Sequence, residues 1–480
     1  MKQAGVLCPV SALPGRFGVG DFGRAAYQFV DKLADCKIKI WQILPLNPLA
    51  FGNSPYQPYS SFAGDELYLD LYQMVEDQLL NAREVTCFNN HMNSVEYEDV
   101  REKKDALFHK AFENFVVTDD FNDFVAKNDW LEGYALYRVF KNHNEGKDWV
   151  HWSKEYKEYL IHPTFPNTIF AKEILYQEFL QYYFFKQWHA LKKYANDKGI
   201  IIIGDMPIYV GLDSSDCWLN QESFLLEEDG TPSFVAGVPP DYFSQYGQRW
   251  GNPIYNWDYL KDHDFDFWIR RMHAACEMYD ILRIDHFRGF DTFWKIPAEE
   301  PTAVIGEWVE APGYDLFDTF FEKYPDAHIL AEDLGELREE VYDLRDHYHF
   351  KGMFIYMFHR NDLENFDLDK VIVYTGTHDN DTLDHWYETL SKKDKKQLDE
   401  DLEEYKERLI NRKIIHYCMD MDVETVIVPV WDIMGLPGEC RFNTPGTTDR
   451  SNWRWKMKNF TELNKSLEFL EKVVVETGRD

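Results

Sequence analysis

The stretch VIVYTGTHDND, residues 371–381, runs from an unbroken apolar segment, Val371 to Tyr374, straight into Thr377, His378, Asp379, Asn380 and Asp381. A run that is apolar at every position suits a strand buried on both faces, as in a parallel sheet covered by helices. Gly376 frees the backbone, and Asn and Asp favour turns, so turn chemistry accounts for the abrupt end. It does not account for the histidine or the crowd of acids. Whether these carry chemistry depends on whether other strands end in the same way.

Seven further runs of this kind lie along the chain. They are GVLCPVSAL from Gly5, IKIWQILPL from Ile38, IIIIGDMPIYV from Ile200, ILRIDHF from Ile281, HILAEDLG from His328, KGMFIYMF from Lys351 and TVIVPVWDIMG from Thr425. Helical patterns separate several of them, such as AAYQFVDKLADC after the first and FDFWIRRMHAACEMY before the fourth. Strand and helix in alternation indicate βα units, and eight units predict an α/β fold of the (β/α)8 TIM barrel type.

The spacing is uneven. Roughly 155 residues separate the second run from the third, too many for a structureless loop inside a compact domain. Within them VREKKDALFHKAFENFV and AKEILYQEFLQYYFFKQWHALKKYAND read as amphipathic helices. The expected organisation is a single catalytic barrel over residues 1–480. A mainly helical subdomain is inserted at about 51–195, and a smaller rim insertion with an active-site loop at about 211–256, both on the C-terminal rim. Glycines and prolines between Ala236 and Asn256 suggest an arch that covers a cleft. Residues 394–414, DKKQLDEDLEEYKERLINRKI, read as a charged surface helix whose acids form a solvated face.

Composition removes several function classes. With 51 basic and 84 acidic residues the net charge is −33, which repels phosphate backbones and anionic lipid, so neither nucleic acid nor a membrane surface is an expected partner. The 16% of aromatic residues suits sugars stacking on rings, and equally a large core rich in Phe and Tyr. The seven cysteines are scattered and never in C-x-x-C spacing, so neither a disulfide framework nor a zinc site is expected. No long apolar leader or membrane-spanning window is present, and the expected location is cytoplasmic. No G-x-G-x-x-G opens a helix after a strand and no Walker motif occurs, so no cofactor is expected. GRFGVGDFG, residues 15–23, is glycine-rich but lacks the following Lys-Ser/Thr, and reads as a loop whose backbone approaches a sugar or another loop.

In barrels of this type the catalytic groups lie at the C-terminal ends of strands. Those ends carry Asp205, then Arg283, Asp285 and His286, then Glu332 and Asp333, then His378 and Asp379. Converging carboxylates can hold a metal or break a glycosidic bond. A barrel metal site with H-x-H on its first strand is ruled out, because the first strand has no histidine. Glycoside chemistry needs one ionised carboxylate as nucleophile, one protonated acid across the bond, and further polar groups gripping hydroxyls. Arg283 and Asp285 share a strand face, so the guanidinium would hold Asp285 ionised, or the two would form a purely structural pair. Glu332, in a less basic stretch, could keep a raised pKa and act as general acid.

Longer stretches carry a resemblance. WQILPLNP with SPYQPYSSFAGDELYLDL, GDMPIYV, VAGVPPDYFSQYGQRWGNPIYNWD, LRIDHFRGF, LAEDLG, VYTGTHDNDT and NTPGTTDRSNWRWKM together span almost the whole chain. In these the sequence resembles 4-α-glucanotransferases of the amylomaltase, or disproportionating enzyme, type within the α-amylase superfamily. The resemblance implies Asp285 as nucleophile, Glu332 as acid/base and Asp379 as the group that stabilises the transition state through sugar hydroxyls. It places Arg283, His286 and His378 along the cleaved sugar's subsite with Asp205 and Asn443 near it, and Tyr56, Tyr242 and Trp250 beside the glucan chain. For Tyr56 and Trp250 simple pinning of loops is the competing reading.

The implied partners are maltooligosaccharides and α-1,4-glucans, with glucose as an acceptor, and the oligomeric state is not indicated. Leu383 and Asp384 stand where relatives often have Thr and a small residue, and Cys440 where Ala is usual, so these positions bear on fine substrate fit. The N-terminus leads directly into the first strand, which argues against attached starch-binding modules. An α-glucan hydrolase on the same carboxylates and a noncatalytic glycan-binding barrel are the rival readings. Asp285 and Glu332, on neighbouring fourth and fifth strands, are expected at the separation of about 5–5.5 Å that retaining chemistry needs.

Overall fold

The computed structural model describes residues 2–89, 91–240 and 244–480. Its centre is a parallel sheet of the strands β1 (Gln3–Leu7), β2 (Ile40–Gln42), β3 (Ile201–Met206), β4 (Ile281–Ile284), β5 (Ile329–Ala331), β6 (Gly352–Ile355), β7 (Val371–Tyr374) and β8 (Thr425–Pro429). Successive strands from β1 to β5 and from β6 to β8 pair in parallel, and β8 pairs with β1, from Gln3 opposite Thr425 to Leu7 opposite Pro429. A single bridge between Leu330 and Lys351 joins β5 to β6 and closes the ring. All eight apolar runs form barrel strands, and the fold is the (β/α)8 barrel expected.

Burial explains why these strands are legible. Every residue of β7 and β8 is buried, because helices cover the outside and neighbouring side chains fill the inside. Close packing also dictates small residues: a Cβ on Gly204 of β3 would stand 2.0 Å from the ring of Tyr279. The helix Arg24–Asp35 after β1 turns Ala26, Phe29, Val30 and Leu33 to the barrel, at helical spacing. Gly20 of the glycine-rich stretch closes on backbone, since a Cβ there would lie 1.9 Å from the Val10 carbonyl oxygen. That loop packs against the helical turn Val10–Ala12.

Between β2 and β3 the helices Tyr97–Glu113, Asp119–Lys127, Leu131–His143 and Ala171–Asp197 pack on one another. Much of the aromatic content is consumed here. The ring of Phe140 meets those of Trp152, Tyr156, Tyr159, Phe165, Phe170 and Trp218, mostly edge to face. Aromatic abundance therefore reflects packing as well as any role in a cleft.

Two features differ from expectation. A second, antiparallel sheet crosses the rim, with strands in the order Gln248–Pro253, Phe234–Val238, Thr292–Pro297, Glu307–Glu310. The segment read as an arch is largely a hairpin of this sheet. Its strands are short, half-buried and interrupted by Gly and Pro, so no continuous apolar run announces them. The charged segment 394–414 is not one helix: Lys392–Asp401 ends, residues 402–409 leave the helix, and Ile410–Asp420 begins another. Asp399 and Glu403, and Glu400 and Glu404, would repel one turn apart in a continuous helix. Folding back instead buries Leu402 and lets Glu407 meet His416 Nδ1 at 2.8 Å. All seven cysteines are free thiols, and no helix among the described residues is long and apolar enough to cross a membrane.

Candidate active site

The ends of β3 and β4 build the floor. Asp205 and Arg283 are register partners, and Arg283 Nη1 donates to both Asp205 oxygens at 2.7 Å. Tyr56 Oη donates to Asp205 Oδ2 at 2.8 Å. The same Arg283 nitrogen reaches Asp285 Oδ1 at 3.2 Å, so most of the guanidinium's charge is already met by Asp205. Arg283 therefore favours the ionised form of Asp285 through a contact it shares with Asp205, and serves the barrel wall as well. Burial, followed by the charges of Asp205, Glu332 and Asp379, pushes the Asp285 carboxyl well above its usual range, and Arg283 only opposes that shift.

Glu332 stands one step beyond the Ile284–Ala331 pair of β4 and β5. Its own N–H is donated to the Ile284 carbonyl at 3.0 Å, and its carbonyl accepts from Phe287 N at 3.0 Å. Glu332 Oε2 accepts the N–H of His286 at 2.7 Å. His286 has φ 51°, a left-handed conformation that is strained for a residue with a side chain. Burial pushes Glu332 up to about 7, against the charge of Arg283 and the His286 N–H. The His286 imidazole is pushed down to about 3 by burial and is neutral. The neighbouring acid turns away: Asp333 accepts from Arg345 Nη1 at 2.6 Å and from Met353 N at 2.7 Å, within the barrel wall.

The loop after β7 divides its labour. Asn380 Oδ1 accepts both the N–H and the hydroxyl of Thr377, at 2.8 and 3.0 Å, and so folds the turn. Asp381 Oδ2 lies 2.6 Å from His385 Nδ1, and Thr382 caps the helix Leu383–Thr389. His378 and Asp379 are left to face the cluster. Asn443 donates to Asp379 Oδ1 at 2.6 Å, and Arg441 Nη2 to the Asp379 carbonyl at 2.7 Å. The His378 ring, buried and pushed below its usual pKa by that burial, stacks on Tyr56 with centroids 5.2 Å apart.

Trp250, on the rim strand Gln248–Pro253, meets His286 edge to face at 4.9 Å. Tyr242 lies outside the described residues. Trp453 and Arg441 escaped the reading of single residues. Trp453 packs against both Tyr56 and His378, at 5.7 and 5.9 Å. The signal for both was their place in or beside NTPGTTDRSNWRWKM, a long polar and aromatic stretch with no strand or helix pattern. Leu383 is fully buried, and Asp384 and Cys440 are partly covered.

A rim on which two carboxyls with raised proton affinity, Asp285 and Glu332, lie among neutral imidazoles and aromatic rings is suited to polyhydroxylated neutral molecules. A family model described as 4-alpha-glucanotransferase matches residues 8–463. The chain is 39% identical to the 4-alpha-glucanotransferase of Aquifex aeolicus over 100% of both chains. It is 39% identical to that of Thermus thermophilus, with 95% of each covered. Among solved structures it is similar to the amylomaltase of Streptococcus agalactiae in complex with acarbose, with a TM-score of 0.94, 36% identity and 100% of both chains covered.

Proposed function

This chain belongs to the 4-alpha-glucanotransferase family of enzymes, and from that premise we propose which residues carry the transfer and how. The enzyme moves a segment of an α-1,4-glucan to the 4-hydroxyl of glucose or of another glucan, by two displacements that retain the α configuration. A carboxylate oxygen of Asp285 attacks the anomeric carbon while Glu332 gives its proton to the leaving glycosidic oxygen. The glycosyl ester so formed is opened when Glu332 takes the proton of an acceptor hydroxyl, whose oxygen bonds to the anomeric carbon and releases Asp285.

The observation that carries this reading is the pairing of Asp285 and Glu332 on adjacent strand ends, tied together by the His286 N–H on Glu332 Oε2. The crowded carboxyls titrate together, and the cluster keeps a proton near neutral pH. Glu332 holds that proton in the productive state, because Asp285 is hydrogen-bonded by Arg283 Nη1 at 3.2 Å, whereas Glu332 feels the Arg283 charge without that bond and accepts only the neutral His286 N–H. Asp379, held by Asn443 and Arg441, grips sugar hydroxyls as the ring flattens toward an oxocarbenium ion. His286 and His378, both neutral, exchange hydrogen bonds with hydroxyls without repelling the developing positive charge.

Tyr56 comes from the 51–195 insertion and Trp250 from the 211–256 insertion, and the two flank the glucan. Free and mostly buried cysteines suit a reducing, cytoplasmic setting. Incubation with maltotriose followed by separation of the products tests the reading. Glucose together with longer maltooligosaccharides is expected. Shorter sugars alone would make it a hydrolase, and unchanged maltotriose a noncatalytic binder.

A further inference from the structure

Both ends of the loop that carries Asp379 are held by one carboxylate that lies outside the cleft. Asp432 follows β8 on the short helix Val430–Met434 and is 1% exposed. Its Oδ2 accepts the hydroxyl of Thr375 at 2.9 Å, at the point where β7 ends. Its Oδ1 accepts the N–H of Leu383 at 2.9 Å, the first residue of the helix after the loop. Asn411 Nδ2 donates to the Asp432 carbonyl at 2.8 Å and fixes the backbone from a third element. The segment between the two bonds contains His378 and Asp379.

We propose that Asp432 is a positioning residue of the transfer reaction: by clamping Thr375 and Leu383 to one carboxylate it sets where Asp379 stands over the sugar. The proposal rests on the role given to Asp379 above. Three features single out this carboxylate. Burying it is costly, and an apolar side chain would fill the same space without that cost. It accepts from both ends of one loop, so its loss frees the whole segment and not one contact. The other supports, Asn443 on the Asp379 carboxyl and the His378 carbonyl and Arg441 on the Asp379 carbonyl, meet the middle of the segment, whereas Asp432 meets its two ends. A displacement of about 1 Å in a group that acts in the transition state can cost roughly a hundredfold in rate.

The test uses the whole protein and maltotriose disproportionation. Asp432→Ala is expected to lower kcat by at least about tenfold with KM within about threefold, the pattern of a lost transition-state interaction. Asp432→Asn, whose amide oxygen still accepts from Leu383, is expected to restore kcat to within about threefold of the wild type. In an Asp379→Asn background the same Asp432→Ala change is expected to cost less than about twofold more, because residues that act as a unit are not additive. Thr375→Val removes one of the two bonds without changing volume and carries the test if Asp432→Ala does not fold. An intermediate loss in kcat at unchanged KM then supports the clamp, and an unaltered kcat overturns it.

Losses that multiply in the double variant, or a loss confined to KM, would also overturn it. If Asp379→Asn alone leaves kcat unaltered, the role of Asp379 fails and the proposal with it. If Asp379→Asn is slow while Asp432→Ala is not, only the role of Asp432 fails.

Discussion

Glu332 Oε2 accepts the backbone N–H of His286 at 2.7 Å, and His286 aims that N–H from a left-handed conformation at φ 51°. The end of β4 thus reaches over to orient the acid at the end of β5. A donated N–H favours the carboxylate and burial favours the acid. Burial wins, and the carboxyl rises to about 7 from an ordinary 4.5.

The rise has a sign that can be checked. A carboxyl whose pKa is higher in the folded state adds stability that is fully present below about 4.5 and is lost as pH rises through about 7. Glu332→Gln cannot ionise, so it is expected to melt above the wild type at pH 8, with the gap closing toward pH 5. Its turnover should fall by roughly a thousandfold, within the range for a lost general acid/base. A variant that melts lower than the wild type at pH 8, or stays active, contradicts the assignment. Wild-type kcat/KM should decline as pH passes about 7 and the acid loses its proton.

Asp333, the next residue, should behave in the opposite way. Removing it by Asp333→Ala leaves the mostly buried Arg345 with Asp346 as its remaining carboxylate and the Met353 N–H unmet. The expected cost is about 1–3 kcal/mol in urea unfolding, that of a buried donor left without its acceptor while Asp346 still meets Arg345. Turnover per folded molecule should stay within about threefold of the wild type. A catalytic loss without destabilisation would move Asp333 into the site.

Asp285→Asn should remove at least about 99% of turnover while maltooligosaccharide binding remains measurable by calorimetry, because an amide keeps the shape and is a poor nucleophile. Activity within about tenfold of the wild type, a change of only about 1.4 kcal/mol in barrier, would end its candidacy.

Arg283→Met strips the buried Asp205 carboxylate of its cation and leaves it only the Tyr56 hydroxyl. A destabilisation of about 3–5 kcal/mol is expected in denaturant unfolding. Adding Asp205→Asn should recover a large part of it, since the uncompensated charge is what the single change exposes. Equal stability for the single and double variants would show that Arg283 matters for chemistry and not for the wall.

Much of this was legible from residues alone. The runs from Val371 to Tyr374 and from Thr425 to Pro429 announce barrel strands because strands buried on both faces must be apolar at every position. Strand ends with acids, among them Asp285, Glu332 and Asp379, announce a site for the same local reason: polar residues cannot continue such a strand. The long stretches shared with 4-alpha-glucanotransferases then assigned the chemistry.

What the sequence could not decide depends on partners far away along the chain. Alternation along a strand says that Glu332 and Asp333 point to opposite sides, but only closure of the ring decides that Glu332 faces the cleft and Asp333 meets Arg345. The short rim strands, and the break at residues 402–409, follow from tertiary contacts that outweigh local pattern. The proton affinity of Asp285 rises because the folded rim desolvates it and then because three other elements bring Asp205, Glu332 and Asp379 near, effects that no residue nearby in the sequence reveals. The clamp on Thr375 lies 57 residues further along the chain, at Asp432, and only the closing of β8 against β1 and β7 brings it there.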